Sequence, residues 1–497
     1  MKRCIALLTF VLSIFLTQAQ KLVMRGDHAD PSVVKIGITY WASATSSNWF
    51  PAYPLLHSKD LINWKTKGYV FNTLPAWADY YFWAPEISYE NGKVYIYYAA
   101  HKKGGNLCLA VASADKPEGP YTDHGPLMCE VAGSIDAFPM RDENGKLYLI
   151  WKEDGNSVKK PTPIWAMEMN EERTQLVGEK KMLFKNELPW EKKLVEGVSM
   201  IRHGDYYYAF YAAAGCCGSG CDYVTGVARS KNLLGPWEKY EKNPLLKNND
   251  NWMCPGHGTP IEKEGKFYFL YHGYNKQTNV FTGREGLLKE FTFTNDNWIE
   301  FIEEPTVAYN TNFEIEDEFK GNKLNDRWQW SVFQNAGKKV SKGALTLTAL
   351  PEVAGAFVGQ ATLAGNYKAV TIINTSASTA SAGIAAIGDD KNIISCLYAN
   401  GKLTVVEVKD GKEKTLFSKD VVAGKKLALQ MRVKDGGSIS FSYALKKENF
   451  IPLHDTPVNG KFLPPWDRAV RAGLVSKGSI DGVAVFKEFE MSSLNEH

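Results

Sequence analysis

Apolar and aromatic positions recur along the first part of the chain as short strands, each introduced by a turn: GITYWAS at Tyr40, GKVYIYYAA at Tyr95, GKLYLIWK at Tyr148, GDYYYAFYAA at Tyr207 and GKFYFLYHGY at Tyr268. These marker tyrosines are 55, 53, 59 and 61 residues apart. Between them lie further short segments with related wording, HSKDLINWK, ASADKPEGPYTD and ARSKNLLGPWEKY, and no stretch carries the period of a long amphipathic helix. Repeated units of several short strands are the pattern of propeller blades, because each small sheet buries its faces only against its neighbours. Five units predict a five-bladed β-propeller over residues 20–310.

From about Asn312 the pattern changes to period-two alternation, as in GALTLTA, KAVTIIN, KLTVVEV, KLALQMRV, SISFSYAL and GVAVFKEFEM, separated by glycine and asparagine turns. Alternation of this kind predicts an antiparallel β-sandwich over residues 312–497, so the chain is all-β with two domains. Trp328 and Trp330 share an alternation parity that suits a core-facing pair. The N-terminus reads MKRCIALLTFVLSIFLTQAQ: Lys2 and Arg3, then apolar residues from Ile5 to Leu16, then small residues ending at Ala19. This is the pattern of an export signal over residues 1–19, which implies a periplasmic or extracellular protein. The apolar stretch is shorter than the about 18 residues that a membrane-spanning helix needs.

The chain has 497 residues, with 58 Lys+Arg against 55 Asp+Glu and a formal net charge of +3. No basic block stands out, which argues against a nucleic-acid partner. Fourteen Trp, 24 Tyr and 24 Phe suit β-structure, and they also suit a protein that stacks rings on sugars. Setting aside Cys4 leaves cysteines at 108, 129, 216, 217, 221, 254 and 396, an odd number, so at least one stays unpaired. The loop GCCGSGC, with Cys254, reads either as a metal site or as a disulfide pinning the loop; the absence of paired C-x-x-C knuckles favours the disulfide.

Nine to twelve residues before each marker tyrosine stands a titratable residue: Asp30, Glu86, Asp136, Glu196 and His257. Rotation about a propeller axis relates equivalent positions of successive blades, so these five are expected to converge on the mouth of one channel. Carboxylates clustered in an aromatic pocket suit cleavage of a glycosidic bond, where one protonates the leaving oxygen and another activates water. Asp30, in HADPSVV, suits an ionised base. Glu196 lies in VEGVSMIRHGDYYY beside Val195 and Val198, where poor solvation would favour a proton donor. Asp136, in GSIDAFPM, suits a third charge that helps keep Glu196 protonated.

The motifs HADPSVV, FWAPEISYENGKVYIYYAA, SIDAFPM, EGVSMIRHGDYYY, PGHGTPIEKEGKFYFLYHGY and GREGLL, in this order, resemble glycoside hydrolase family 43, the five-bladed propeller glycosidases. The resemblance implies an inverting mechanism with Asp30 as general base, Glu196 as general acid, and Asp136 tuning the acid and orienting the sugar. It implies Arg284 beneath the sugar, Trp83 as an aromatic wall, and His257 on the axis beside a hydrated calcium ion, with no organic cofactor. Glu86 replaces the aspartate of the family's WAPD pattern and receives no catalytic role, and EGVS replaces the commoner EGP. Inversion would set the Asp30 and Glu196 carboxyls about 6.5–9.5 Å apart. The opening DEFKGNKLNDRWQW resembles the concanavalin-like C-terminal domain of many members, which is expected to buttress the propeller or lend it a loop. The expected activity is exo-acting release of a terminal α-L-arabinofuranose or β-xylose from plant polysaccharide fragments. Galactosidase or endo-arabinanase action on the same fold is the alternative, and so is a propeller that binds carbohydrate without cleaving it. A retaining fructan-processing propeller fits less well, because HADPSVV lacks that group's asparagine-aspartate-proline-asparagine wording.

Overall fold

The computed structural model describes residues 21–302, 312–446 and 448–494; the predicted export signal lies outside them. Each marker tyrosine falls in the second strand of a sheet. Blade 1 contains Ser32–Ile36, Thr39–Ser43, Ala52–Ser58 and Lys65–Phe71, and blade 2 contains Ala78–Glu90, Lys93–Lys102, Leu107–Ala114 and Thr122–Met128. Blade 3 contains Ser134–Arg141, Leu147–Glu153, Ile164–Met169 and Leu176–Phe184, and blade 4 contains Val195–His203, Tyr206–Ala213, Val224–Ser230 and Glu238–Lys239. Blade 5 is built from Trp252–Lys263, Lys266–Asn275 and Arg284–Phe293, extended by Ile299–Phe301 and by the N-terminal strand Lys21–Met24. That last pairing, with Leu22 opposite Leu287, ties the two ends of the propeller into one sheet and removes an open edge. Inner strands of neighbouring blades touch in cyclic order, so blades 1 and 4 are not adjacent, nor are blades 2 and 4.

Aromatic side chains fill the spaces between blades. Phe71 of blade 1 meets Tyr98 of blade 2 with ring centres 5.2 Å apart, and Phe210 of blade 4 stacks on Phe269 of blade 5 at 4.6 Å. The innermost strands of blades 2 to 5 carry register slips, between Trp83 and Glu86, Ile135 and Phe138, Glu196 and Ser199, and Gly256 and Gly258. Asp30, Ala84, Asp136, Gly197 and His257 mark the matching positions with φ of 51°, 42°, 60°, 61° and 31°. A bulge bends the strand and re-aims a side chain, here toward the axis.

The bulges correct one expectation. The blade 2 residue equivalent to Asp30, Asp136 and His257 is Ala84, and Glu86 lies two residues deeper, accepting a hydrogen bond from Thr259 Oγ1 at 3.1 Å. Glu86 therefore does not join the mouth of the channel. Counting back from a tyrosine fixes the blade but not the extra residue that a bulge inserts.

The second domain packs a nine-stranded sheet against a six-stranded one over a continuous apolar core. Both tryptophans pack on that core: Trp328 is buried in it, and Trp330, partly buried against it, also pairs with Phe50 of the propeller through a short cross-domain ladder. Asp27 of the propeller is fully enclosed and meets Arg468 at 2.8 Å and Arg471 at 3.0 Å, both from the sandwich. Burial would push the Asp27 carboxyl up, but the two guanidiniums more than offset this and hold it below the ordinary value. Disulfides join Cys108 to Cys129, Cys216 to Cys217 and Cys221 to Cys254, and Cys396 is free and buried. The GCCGSGC loop is thus pinned by a disulfide rather than organised by a metal.

Removing the Asp27 carboxylate leaves two guanidiniums buried between the domains without their partner. Asp27→Ala is expected to cost about 3–5 kcal/mol and to split the calorimetric unfolding transition into separate propeller and sandwich events. A single transition at the wild-type temperature would show that this pair does not couple the domains.

Candidate active site

Asp30, Asp136, Glu196, Trp83, Arg284 and His257 all line one cavity of about 150 Å³ at the mouth of the propeller axis. At roughly 10–15 Å³ for each water-sized unit, that space takes on the order of ten heavy atoms, the size of one pentose ring. Its wall draws on all five blades and on Trp466 and Asp467 of the sandwich.

Asp30 sits just before the first strand of blade 1, with a left-handed backbone (φ 51°), and its carboxylate lines the cavity. Arg284 Nη1 lies 3.1 Å from Oδ1, and Thr45 Oγ1 donates to Oδ2 at 2.6 Å. Thr45 in turn accepts from the Ala84 amide at 2.7 Å, which locks blade 1 to blade 2 at the bulge. The Asp30 amide donates to His272 Nδ1 at 3.0 Å, so that nitrogen is an acceptor. Burial holds His272 far below the ordinary imidazole value, leaving it neutral, and the working charge partner of Asp30 is therefore Arg284. Burial alone would push the Asp30 carboxyl up; Arg284, with help from the Thr45 hydroxyl, holds it well below the carboxylate range. Arg284 also donates to the Asp467 carbonyl at 3.2 Å. Its sequence neighbour Glu285 points the other way, accepts from the Gly26 amide at 2.8 Å, and is pushed up to about 7 by burial.

Glu196 does not have the apolar surroundings that its sequence neighbours suggest. Strand alternation turns Val195 and Val198 into the core between blades, while the carboxylate meets buried Lys152 Nζ at 2.5 Å and the Tyr223 hydroxyl at 2.9 Å. Lys152 also holds Asp154 at 2.9 Å. Asp136 accepts from the Gly197 amide at 2.8 Å, so the residue after Glu196 ties the two carboxylates together. Burial pushes the Asp136 carboxyl up to about 6; His257 and Lys152 work against that rise, and Glu196 and Asp30 add to it. His257 Nδ1 lies between the carboxylates, 3.5 Å from Asp30 and 3.9 Å from Asp136. A Cβ at Gly197 would come within 2.7 Å of the His257 ring, at a backbone φ of +61°, so both geometry and contact require glycine.

Trp83 forms one wall. Its indole N–H lies 3.1 Å from both Ser47 Oγ and Asp467 Oδ2, and its ring stacks on Tyr81 at 4.4 Å and meets Trp466 edge-on at 5.7 Å. Thr45, Lys152, Tyr223, His272 and Asp467 complete the site and escaped the sequence reading. Only Lys152 left a trace there, as a lone charge closing the apolar run LYLIW. A calcium ion takes 6–8 oxygen ligands, and His257 offers a nitrogen, so an ion held beside it would draw nearly all its oxygens from water; the roles assigned to the side chains do not depend on one.

Residues 19–299 match the family described as Glycosyl hydrolases family 43, and residues 316–464 match the Beta xylosidase C-terminal Concanavalin A-like domain. A xylan 1,3-beta-xylosidase of Vibrio sp is 27% identical over 314 residues, which cover 56% of this chain and 57% of the relative. BoGH43B of Bacteroides ovatus, a non-reducing end alpha-L-arabinofuranosidase, is 24% identical over 447 residues, covering 79% of this chain and 78% of its own. The chain spans about half the length of several curated relatives it matches, including 45% of a beta-xylosidase of Bacillus subtilis. Among solved structures, BlXynB of Bacillus licheniformis superposes with a TM-score of 0.79 at 24% identity, covering 96% of this chain and all (100%) of its own, a likeness of fold. With one domain family matched over more than half its length and carboxylates converging where that fold opens, the chain belongs to the glycosyl hydrolases of family 43.

Proposed function

We propose that this protein is an exported, exo-acting, inverting glycoside hydrolase that removes a terminal pentose, β-xylose or α-L-arabinofuranose, from plant polysaccharide fragments. One observation carries the proposal: Asp30, Asp136 and Glu196, from blades 1, 3 and 4, face one cavity sized for a single sugar ring. Asp30, kept ionised by Arg284, takes a proton from the attacking water. Glu196 protonates the departing glycosidic oxygen, and Lys152 at 2.5 Å stabilises the carboxylate left behind. Tyr223 fixes the orientation of the Glu196 carboxyl, and Asp136 is tied to the residue next to it through the Gly197 amide. Blades 1 and 4 are not neighbours, so base and acid reach the cavity from different blades; inversion requires their carboxyls about 6.5–9.5 Å apart. The roof that Trp466 and Asp467 place at the cavity supports attack on chain ends. Xylosidases and arabinofuranosidases among the relatives support the choice of pentose. Three disulfides fit the oxidising compartment that the N-terminal pattern implies.

A panel of aryl pentosides and galactosides, followed by proton NMR of the first-formed sugar, tests the reading directly. The expected result is pentoside cleavage with the inverted anomer appearing first; a retained anomer or hexoside-only turnover overturns it. Glu196→Gln is expected to lower kcat by about 10²–10⁴-fold with little change in Tm, because Lys152 keeps Asp154 as a partner. Asp30→Asn should lower kcat similarly and also reduce Tm, because Arg284 then faces a neutral amide.

Asp136 gives a separate test. Its carboxyl, raised from 3.8 to about 6, holds its proton more tightly in the folded chain than in the unfolded one. Its favourable contribution is full below pH 3.8 and is lost as pH rises through about 6. Asp136→Asn should therefore match the wild type near pH 4 and exceed it in stability at pH 8, by at most about 3 kcal/mol. The same variant should be nearly inactive and should lose the acid limb near pH 6 from any residual kcat/KM profile. Equal stability of the two proteins at both pH values would remove the assigned role.

A further inference from the structure

The joined pair Cys216–Cys217 lines the same cavity as Asp30, Asp136 and Glu196, and the chemistry above gives it no part. Stability does not account for it. A disulfide stabilises chiefly by closing a loop, and a bond between adjacent residues closes almost none. The segment is already anchored without it: Cys221 is bonded to Cys254, Asp222 accepts from the Gly215 amide at 2.6 Å and pairs with Lys192, and the Gly218 amide donates to the Tyr274 hydroxyl at 3.2 Å.

What the pair supplies is a surface. Two bonded sulfurs form a soft, polarisable face with no hydrogen-bond donor. Both cysteines are half-buried, and Cys216 packs with Leu194, itself a lining residue, on the apolar cluster around Tyr223. This face belongs to blade 4, while Trp83 belongs to blade 2, so blade 3 separates the two apolar surfaces around the mouth. A sugar ring presents C–H groups as well as hydroxyls, and the carboxylates and Arg284 can satisfy only the hydroxyls. On the footing of the proposed hydrolase, we infer that the Cys216–Cys217 disulfide is a specificity-determining wall of the sugar pocket. It packs on the C–H groups of a terminal pentose and leaves no space for the sixth carbon of a hexose.

Two consequences are measurable. Cys216→Ala with Cys217→Ala should raise KM for the preferred aryl pentoside about tenfold, the effect of losing roughly 50 Å² of apolar contact. Its kcat should stay within about twofold of wild type, and its preference for pentoside over aryl β-galactoside should fall by a similar factor. A dithiol reductant supplies two electrons and two protons, is itself oxidised to a cyclic disulfide, and converts the pair to two free thiols. It should therefore raise the wild-type KM in the same way, reversibly on reoxidation, with alkylation and mass spectrometry locating the new thiols at 216 and 217. The double variant should show no further response to the dithiol, whereas Cys221→Ala with Cys254→Ala should keep it. An unchanged KM in the first double variant, or loss of the dithiol response in the second, overturns the inference. If the oxidised wild type cleaves none of the glycosides, the hydrolase reading itself fails. Calorimetric binding of free xylose and arabinose then judges the wall: weaker binding in the Cys216/Cys217 variant supports it, and equal binding ends it.

Discussion

A carboxylate buried on a propeller axis stays ionised only if a cation is buried with it, and here the pair is Asp30 with Arg284 at 3.1 Å. The cost of dehydrating either charge alone would exceed anything the surrounding aromatic packing returns. The two partners come from opposite ends of the propeller sequence. Asp30 precedes the first blade, and Arg284 opens the strand of blade 5 that pairs with Lys21–Met24. Closing the ring and charging Asp30 are thus linked: the ladder that joins the ends of the propeller also carries the guanidinium to the carboxylate.

The remaining carboxylates differ because their neighbours differ. Asp30 has a permanent cation and one short hydrogen bond, from Thr45 at 2.6 Å, so it is an anion at any working pH. Asp136 has one backbone donor and two carboxylates nearby, and burial prevails, pushing it up to about 6. Glu196, tied to Asp136 through the Gly197 amide, has Lys152 and Tyr223 as direct partners. The arrangement separates an obligate anion, Asp30, from a carboxyl, Asp136, that burial holds up to about 6. It depends on bulges: without an inserted residue at these positions, period-two alternation would turn the same side chains away from the axis.

The second domain belongs to the site as well as supporting it. Its Asp467 holds the Trp83 indole through one oxygen and accepts from Arg284 through its backbone, while Trp466 closes on Trp83 edge-on. Burial pushes the Asp467 carboxyl up, and Arg468 beside it limits the rise. The cluster of Asp27 with Arg468 and Arg471 fixes the segment that carries these residues, so domain docking and pocket shape rest on the same few charges. Trp330, read from alternation as core-facing, packs on the sandwich core and also on a propeller cluster, through a cross-domain ladder. Parity tells which side of a strand a residue faces but not which partner covers that side.

By itself the sequence determined the architecture and brought forward several of the charges that line the cavity. The spacing of the marker tyrosines set the blade count, and HADPSVV, SIDAFPM and EGVSMIRHGDYYY brought Asp30, Asp136 and Glu196 forward, because strand period and local motifs are encoded over a few adjacent residues. The tertiary structure alone decided which charges face one another. Lys152 was one basic residue among many until blade 3 set it beside Glu196, and Asp467 lies 437 residues from Asp30. Glu86 shared the spacing of the others yet sits a layer below them, and Cys216 and Cys217 read as part of a pinned loop before the fold placed them in the cavity wall. Burial and electrostatic partnership are properties of three-dimensional neighbourhood, and no pattern along the chain encodes a neighbour that arrives from another blade or another domain.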